Sequence, residues 1–440
     1  MRLFKKWYAR LILFLAGFLV LAVLMDLALV PLNPREVLSA YDFSHSEDAE
    51  VVAIGNSLCI NHINPYKLEE VTGKRAINYG IASTKAQSMV IMATEVFRLK
   101  NPEYLLVVYD PQLNVVVQED TAMMAKLSPV LGSPKLRLQY LLDRMEYSLT
   151  DLNRIFLWKT AAELNPKKIA GNILYKLGIN QEIAYERSLR QFNAKANRYR
   201  GRGYYVINKR HDPNTLEVYA HNVKKEEGTP LKDEVADSFR KVKALCAQNH
   251  CQMVVITTPL MRDGVLANGQ HRNAMDAMDA FCREEGIPYL NFTYMQGKEL
   301  PDFTGYYYDG YNHLDAEGLA MFDEPFAQIM KAFFDGEDLS DRFLTKEQWL
   351  ASIDRVTEVW LTRKKQGKQY SYTAHADCGT MVECEYRFCL VDAEGNETVL
   401  QEYDAQKQVK VDSAKQKGSV KVYVRNAANP DQPVLSCMYE

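Results

Sequence analysis

Five short apolar runs, each followed by a segment patterned for a helix, constrain this chain more than any other feature. They read "EVVAIG" (50–55), "RAINYG" (75–80), "YLLVVYD" (104–110), "QMVVITTP" (252–259) and "IPYLNF" (287–292). Helical periodicity follows over Thr84 to Lys100, Asp233 to Ala247, Ala274 to Glu285 and Ala316 to Phe334. Uncharged strands alternating with amphipathic helices are the pattern of a parallel sheet covered on both faces. The expected core is a three-layer α/β/α domain over residues 49–337, holding a mostly helical insertion at about 111–231.

Two further regions flank that core. Residues 1–10 carry Arg2, Lys5, Lys6 and Arg10 with no acid, and Leu11 to Val30 follow with only Asp26 interrupting the apolar run. That length suits a bilayer, and preceding cations favour a cytoplasmic N-terminus. The expectation is an uncleaved anchor at 11–30, a linker at 31–48 and the bulk of the chain outside the cell. A cleaved signal would have a shorter apolar core and a small-residue cleavage site. At the other end, 338–365 reads as a helical connector. Short alternating runs broken by Gly-Asn and Asn-Pro turns then predict an antiparallel β-sandwich over 366–440.

Net charge is −3, and the basic arm leaves the remainder more acidic still, which excludes the basic balance of a nucleic-acid binder. One basic tract, "ERSLRQFNAKANRYRGRGYY", interleaves Arg187, Arg190, Lys195, Arg198, Arg200 and Arg202 with tyrosines. It reads as a solvated helix face, or as a docking surface for an anionic polymer or membrane headgroups. The eight cysteines show no C-x-x-C spacing, so no metal site is expected.

The first strand ends in "GNSLCINHINP", which puts Ser57 where a buried strand surfaces. Such a serine is either a turn residue bonding its own backbone or a nucleophile at the carboxyl edge of a parallel sheet. A hydroxyl nucleophile needs a base, and the base needs an orienting carboxylate. Among eight histidines, His313 stands in "TGYYYDGYNHLDAEGLAMF", four residues after Asp309 and ahead of the last α/β helix. The same loop carries Tyr306, Tyr307, Tyr308 and Tyr311. These suit stacking on a sugar, or simply packing of a surface loop.

A Ser after the first strand with a late Asp and His resembles the SGNH (GDSL-like) hydrolase superfamily over about residues 49–335. The resemblance implies a flavodoxin-like α/β/α domain with Ser57 as nucleophile, His313 as base and Asp309 as its orienter. Gly80 of "AINYGIAS" would be an oxyanion donor. The family's Gly-x-Asn-Asp block is absent after the third strand, where "VVYDPQLNVVV" stands instead. Asn114 is the nearest asparagine there and the second oxyanion candidate, while Asp110 is expected with Tyr308 and Tyr311 to contact substrate. The last block also has three residues, not two, between acid and base. A membrane-anchored member resembles the O-acyltransferase partners of cell-envelope polymers, such as the D-alanyl-lipoteichoic acid transfer protein and the alginate O-acetyltransferases. The implied activity is a serine esterase or O-acyltransferase acting on a cell-surface glycan or glycopolymer, needing no cofactor and working beside a membrane-bound O-acyltransferase. The competing reading is a non-catalytic module that binds glycan or scaffolds such an enzyme.

Overall fold

A computed structural model describes residues 2–117, 121–147, 152–159, 162–193, 197–209, 230–295, 299–301, 303, 305–309, 312–413 and 418–439. The chain begins with helix α1 (Arg2–Leu29), whose stretch Lys6–Leu29 is long and apolar enough to cross a membrane. Helix α2 (Pro34–His45) follows, so the segment expected to be a linker is ordered secondary structure. Its start is written locally: the Asn33 side chain accepts from the Arg35 N–H, and Pro34 occupies the first turn, where it lacks no needed donor. Val37, Ala40 and Phe43 bury the helix in the main core.

The central sheet has five strands, β1 (Val51–Gly55), β2 (Ala76–Gly80), β3 (Tyr104–Val108), β6 (Gln252–Thr257) and β7 (Tyr289–Asn291). All pair in parallel, in the spatial order β2-β1-β3-β6-β7. Successive side chains of a strand point to opposite faces. Thus Val52, Ile54, Leu105 and Val107 enter one core, while Val51, Ala53, Leu106 and Val108 enter the other. Helices α3 (Ser57–His62), α4 (Pro65–Thr72) and α5 (Ala86–Leu99) connect the first three strands. The chain leaves β1 for one neighbour and returns to β3 on its other side. That reversal opens a crevice at the carboxyl ends of β1 and β3, the usual ligand position in doubly wound sheets.

The insertion contains α6 (Gln112–Val115), α7 (Thr121–Leu127), α8 (Pro134–Tyr147), α9 (Leu152–Ile155), α10 (Pro166–Lys176) and α11 (Gln181–Asn193). It also contains an antiparallel hairpin, β4 (Asn197–Gly201) with β5 (Tyr204–Ile207). The hairpin takes up much of the basic tract expected to be helical. Tyr199, Tyr204 and Tyr205 are buried, while Arg198 and Arg200 flank Tyr199 on the opposite, exposed face of β4 and Arg202 sits half-buried in the turn, paired with Glu69. After the insertion come α12 (Asp233–Gln248), α13 (Arg262–Ala267), α14 (Gly269–Glu285), α15 (Ala316–Phe334) and α16 (Lys346–Ser352).

The C-terminal domain is a separate two-sheet sandwich. One sheet runs β12 (Gln408–Asp412), β9 (Gln369–Cys378), β8 (Val356–Gln366). The other runs β11 (Glu397–Asp404), β10 (Cys384–Val391), β13 (Ser419–Asn426), β14 (Leu435–Met438). Both sheets close on one core containing Tyr372, Phe388, Val420, Val422 and Val424. Strand β8 starts ten residues ahead of the expected boundary at 366, in a stretch read as helical connector. "VTEVWLTRK" has apolar residues at spacings compatible with either period, and pairing along β9 selects the strand.

Candidate active site

The site begins with the abrupt end of β1. Gly55 has φ of 155°, and a Cβ there would lie 2.9 Å from that of Val108, so a side chain is excluded by the neighbouring strand. Asn56 then caps α3, its Oδ1 accepting the Leu58 N–H at 3.0 Å. Its Nδ2 donates to Asp110 Oδ2 at 2.9 Å, and Asp110 Oδ1 accepts the Gln112 N–H at 2.9 Å. Asp110 is buried and anchors the turn that presents Ser57, so it is no substrate contact; the expectation fails because both its oxygens hold the chain itself.

Ser57 opens α3, and its Oγ stands 2.7 Å from His313 Nε2. The other ring nitrogen, Nδ1, is hydrogen-bonded to Asp309 Oδ2. Asp309 Oδ1 also accepts the N–H groups of Asn312 and His313, each at 3.3 Å. A β-bridge joins Tyr307 and Leu314, and across it the Tyr308 N–H donates to His313 O at 3.0 Å. The chain leaves and returns at that bridge, so Asp309 and His313 face each other beside it. Tyr308 stacks on His313, with ring centroids 5.2 Å apart and planes 19° from parallel. One face of Tyr308 is therefore taken by His313. Tyr311 lies outside the described residues.

Two sequence expectations fail on hydrogen bonds already made. The Gly80 N–H donates to Asn78 Oδ1 at 2.9 Å, inside the protein, so it is not available to an oxyanion. Gly80 is glycine because α3 passes close: a Cβ would meet Ile60 Cγ1 at 2.6 Å. Asn78 in turn donates to the carbonyls of Cys59 and Ile63, at 2.6 and 2.9 Å, and holds α3 against the sheet. Asn114 donates to Pro230 O at 3.1 Å and accepts from the Lys232 N–H at 2.7 Å. It closes the insertion's two ends on each other and faces no reacting group. Among the described residues, the backbone N–H of Ser57, in the first turn of α3, makes no hydrogen bond.

His62, absent from the sequence expectations, holds the residue that follows His313. It is fully buried, with Nδ1 2.8 Å from Thr258 Oγ1, and its Nε2 accepts the Leu314 N–H at 3.0 Å. Those contacts fix a neutral ring, and burial pushes its pKa down to about 3, helped by the nearby His313. Only the "CINH" spacing marked it, putting His62 near the end of the short helix that Ser57 begins.

No protein-family model and no curated protein sequence matches the chain. Among solved structures, a two-domain esterase (CEX) active on acetylated mannans, co-crystallised with mannopentaose, aligns over 94% of this chain and 96% of its own. The identity is 9% and the TM-score 0.27, too low to transfer a residue or a substrate.

Proposed function

We propose that this protein is a membrane-anchored, outward-facing serine esterase or O-acyltransferase that acts on acyl esters of a cell-surface polysaccharide or glycopolymer. The observation that carries the reading is the continuous relay from Asp309 through His313 to the Ser57 hydroxyl, 2.7 Å from the base. In the resting site the Ser57 hydroxyl donates its hydrogen bond to His313 Nε2. Attack on the acyl carbonyl transfers the serine proton to Nε2, and the imidazolium is stabilised by Asp309. As the carbon–oxygen bond of the ester breaks, His313 returns the proton to the departing sugar oxygen, which leaves as a hydroxyl. Water, or a hydroxyl of a second glycan, is activated in the same way to release the acyl group from Ser57. The Ser57 N–H is the donor left to meet the developing oxyanion. A membrane-bound O-acyltransferase is the partner that would supply acyl groups to such a site.

The test is direct. The full chain in neutral detergent should be labelled by a fluorophosphonate probe at Ser57 and should hydrolyse 4-nitrophenyl acetate. Ser57→Ala and His313→Ala should each remove nearly all turnover, and the double variant should lose little more, because the two act as one unit. A non-catalytic glycan-binding module predicts no labelling of the folded protein, and that result would sink the enzyme reading.

A further inference from the structure

Where α1 leaves the apolar stretch, the insertion encloses its last turns. Helix α10 packs along α1, α8 touches it, and α11 packs on α10. A cavity of about 150 Å³ remains at this junction, bordered by Val23, Asp26 and Leu27 of α1 and by Leu141 and Leu177 of the insertion. Its charged lining is unbalanced: Arg137, Arg144 and Lys176 against the single carboxylate of Asp26. The volume is several times the ~10–15 Å³ that one water requires.

The cations differ in how they are held. Lys176 Nζ donates to the carbonyls of Asp26, Leu27 and Val30, at 2.8, 3.0 and 2.6 Å, and so caps the C-terminal end of α1. Arg144, its side chain 2% exposed, donates from Nη2 to Asp26 Oδ2 at 3.0 Å. Its Nε and Nη1 are buried with no hydrogen-bond partner among the described residues. Arg137 donates from Nη1 to Lys176 O at 2.9 Å, and its Nε is likewise buried and unpartnered. Glu95, the next carboxylate whose field reaches Arg137, is paired with Arg98. Buried donors left unpaired cost on the order of 1–3 kcal/mol each, so two guanidiniums in this condition mark a place built for an acceptor-rich anion.

The surroundings say which anion. Outside α1, large apolar side chains are exposed on few surfaces, and one group of them lies on these helices and the turns that flank them. Leu164 is 76% exposed, Leu177 58%, Ile179 68% and Ile183 60%, with Leu138 and Leu142 exposed on α8. Leu177 belongs both to this surface and to the cavity wall. An apolar apron around the end of a spanning helix, with guanidiniums beneath it, matches the layered chemistry of a bilayer interface.

We propose that this junction binds an anionic phospholipid, its phosphate between Arg137 and Arg144 and its acyl chains along the exposed leucines and isoleucines of α8, α10 and the start of α11. The inference rests on reading α1 as a membrane anchor. Bound lipid would fix the height and tilt of the α/β domain above the membrane, and so the reach of Ser57 toward a surface polymer.

The experiment uses the full chain purified in neutral detergent, with micelles doped by phosphatidylglycerol or by phosphatidylcholine of identical chains, and counts retained lipids by native mass spectrometry. Phosphatidylglycerol should be retained roughly tenfold or more over phosphatidylcholine, because the choline cation cancels the charge that its phosphate would otherwise present to the two guanidiniums. Arg137→Gln should bring the two lipids near parity while Ser57 still labels with fluorophosphonate, which shows the fold is intact. Arg144→Gln should do the same if it folds; Arg137→Gln decides alone if it does not. Equal retention of both lipids overturns the proposal, as does unchanged selectivity in Arg137→Gln. So does displacement of the lipid by millimolar inorganic phosphate, which would make the site one for a free anion. A carbonate wash separates the underlying reading: release of the chain from membranes removes the anchor, whereas retention with equal lipid binding defeats this inference only.

Discussion

Replacing His62 by Phe keeps an aromatic ring in a fully buried place but removes both of its polar contacts. The Thr258 hydroxyl and the Leu314 N–H would then be buried without partners. At about 1–3 kcal/mol for each, the loss near pH 7.5 should be about 2–6 kcal/mol. The pH dependence is sharper than the magnitude. His62 has its pKa lowered to about 3 in the folded chain against an ordinary 6.5, chiefly by burial, so below pH 6.5 the unfolded chain takes up a proton that the folded one refuses. Its contribution is fully present above 6.5 and declines as pH falls toward 3, by about 1.4 kcal/mol per pH unit. Between pH 7.5 and 4.5 the gap between wild type and His62→Phe should therefore narrow by about 3 kcal/mol. Denaturant unfolding of both full-length proteins in the same detergent, followed by tryptophan fluorescence, measures that gap. A gap that stays constant across this range would show that His62 is not held neutral, and the account of how it positions the residue after His313 would fail. Activity offers a second readout: the variant should lose kcat with little change in KM, because the base shifts and the substrate surface does not.

Other outcomes are open to simpler measurements. Asn114→Ala should cost about 1–3 kcal/mol of stability with kcat retained, since its partners are Pro230 and Lys232; a fall in kcat of about 10²-fold or more would restore it as an oxyanion donor. Gly80→Ala should destabilise by about 1–3 kcal/mol, because its Cβ must displace Ile60 and with it α3, and an unchanged melting temperature would show that α3 yields freely. Cys378 and Cys384 face each other with sulfurs 3.7 Å apart, and contact with Cys378 lowers the Cys384 pKa to about 7, so mild oxidation should join them and remove two maleimide-reactive thiols together. A chain ending after Arg355 should keep its α/β domain folded, because Trp349 and Ile353 belong to that core while Val356 and Val359 belong to the sandwich. Ending it at Lys365 should lower its solubility by leaving β8 without its partner β9, and equal behaviour of the two truncations would refute that boundary.

What the sequence determined by itself was whatever is written within one element or one turn. Strands buried on both faces must be continuously apolar, so the five runs of the parallel sheet stood out before any contact was known. The apolar stretch after the basic arm was equally plain, since a spanning helix needs its apolar residues in succession. Ser57 and the pair of Asp309 and His313 were visible because a strand end and a short loop carry them locally. The α2 helix carries a local signal in its Asn-Pro start, although 31–48 was expected to be a linker.

The tertiary structure decided everything that depends on a partner far along the chain. Asn114 bonds Lys232 across 118 positions, and His62 receives the Leu314 N–H across 252, so no local pattern could assign either side chain. Gly80 looked like a donor beside the nucleophile until Asn78, two residues back and turned inward, proved to hold its N–H. The alternating stretch that became β8 fitted two periods, and only the edge of β9 chose between them. A hydrogen-bonding group can satisfy only a few partners, and which ones it meets is settled when the chain closes on itself. Residue type therefore announced what chemistry was present, while the packed fold determined which of those groups were left free to perform it.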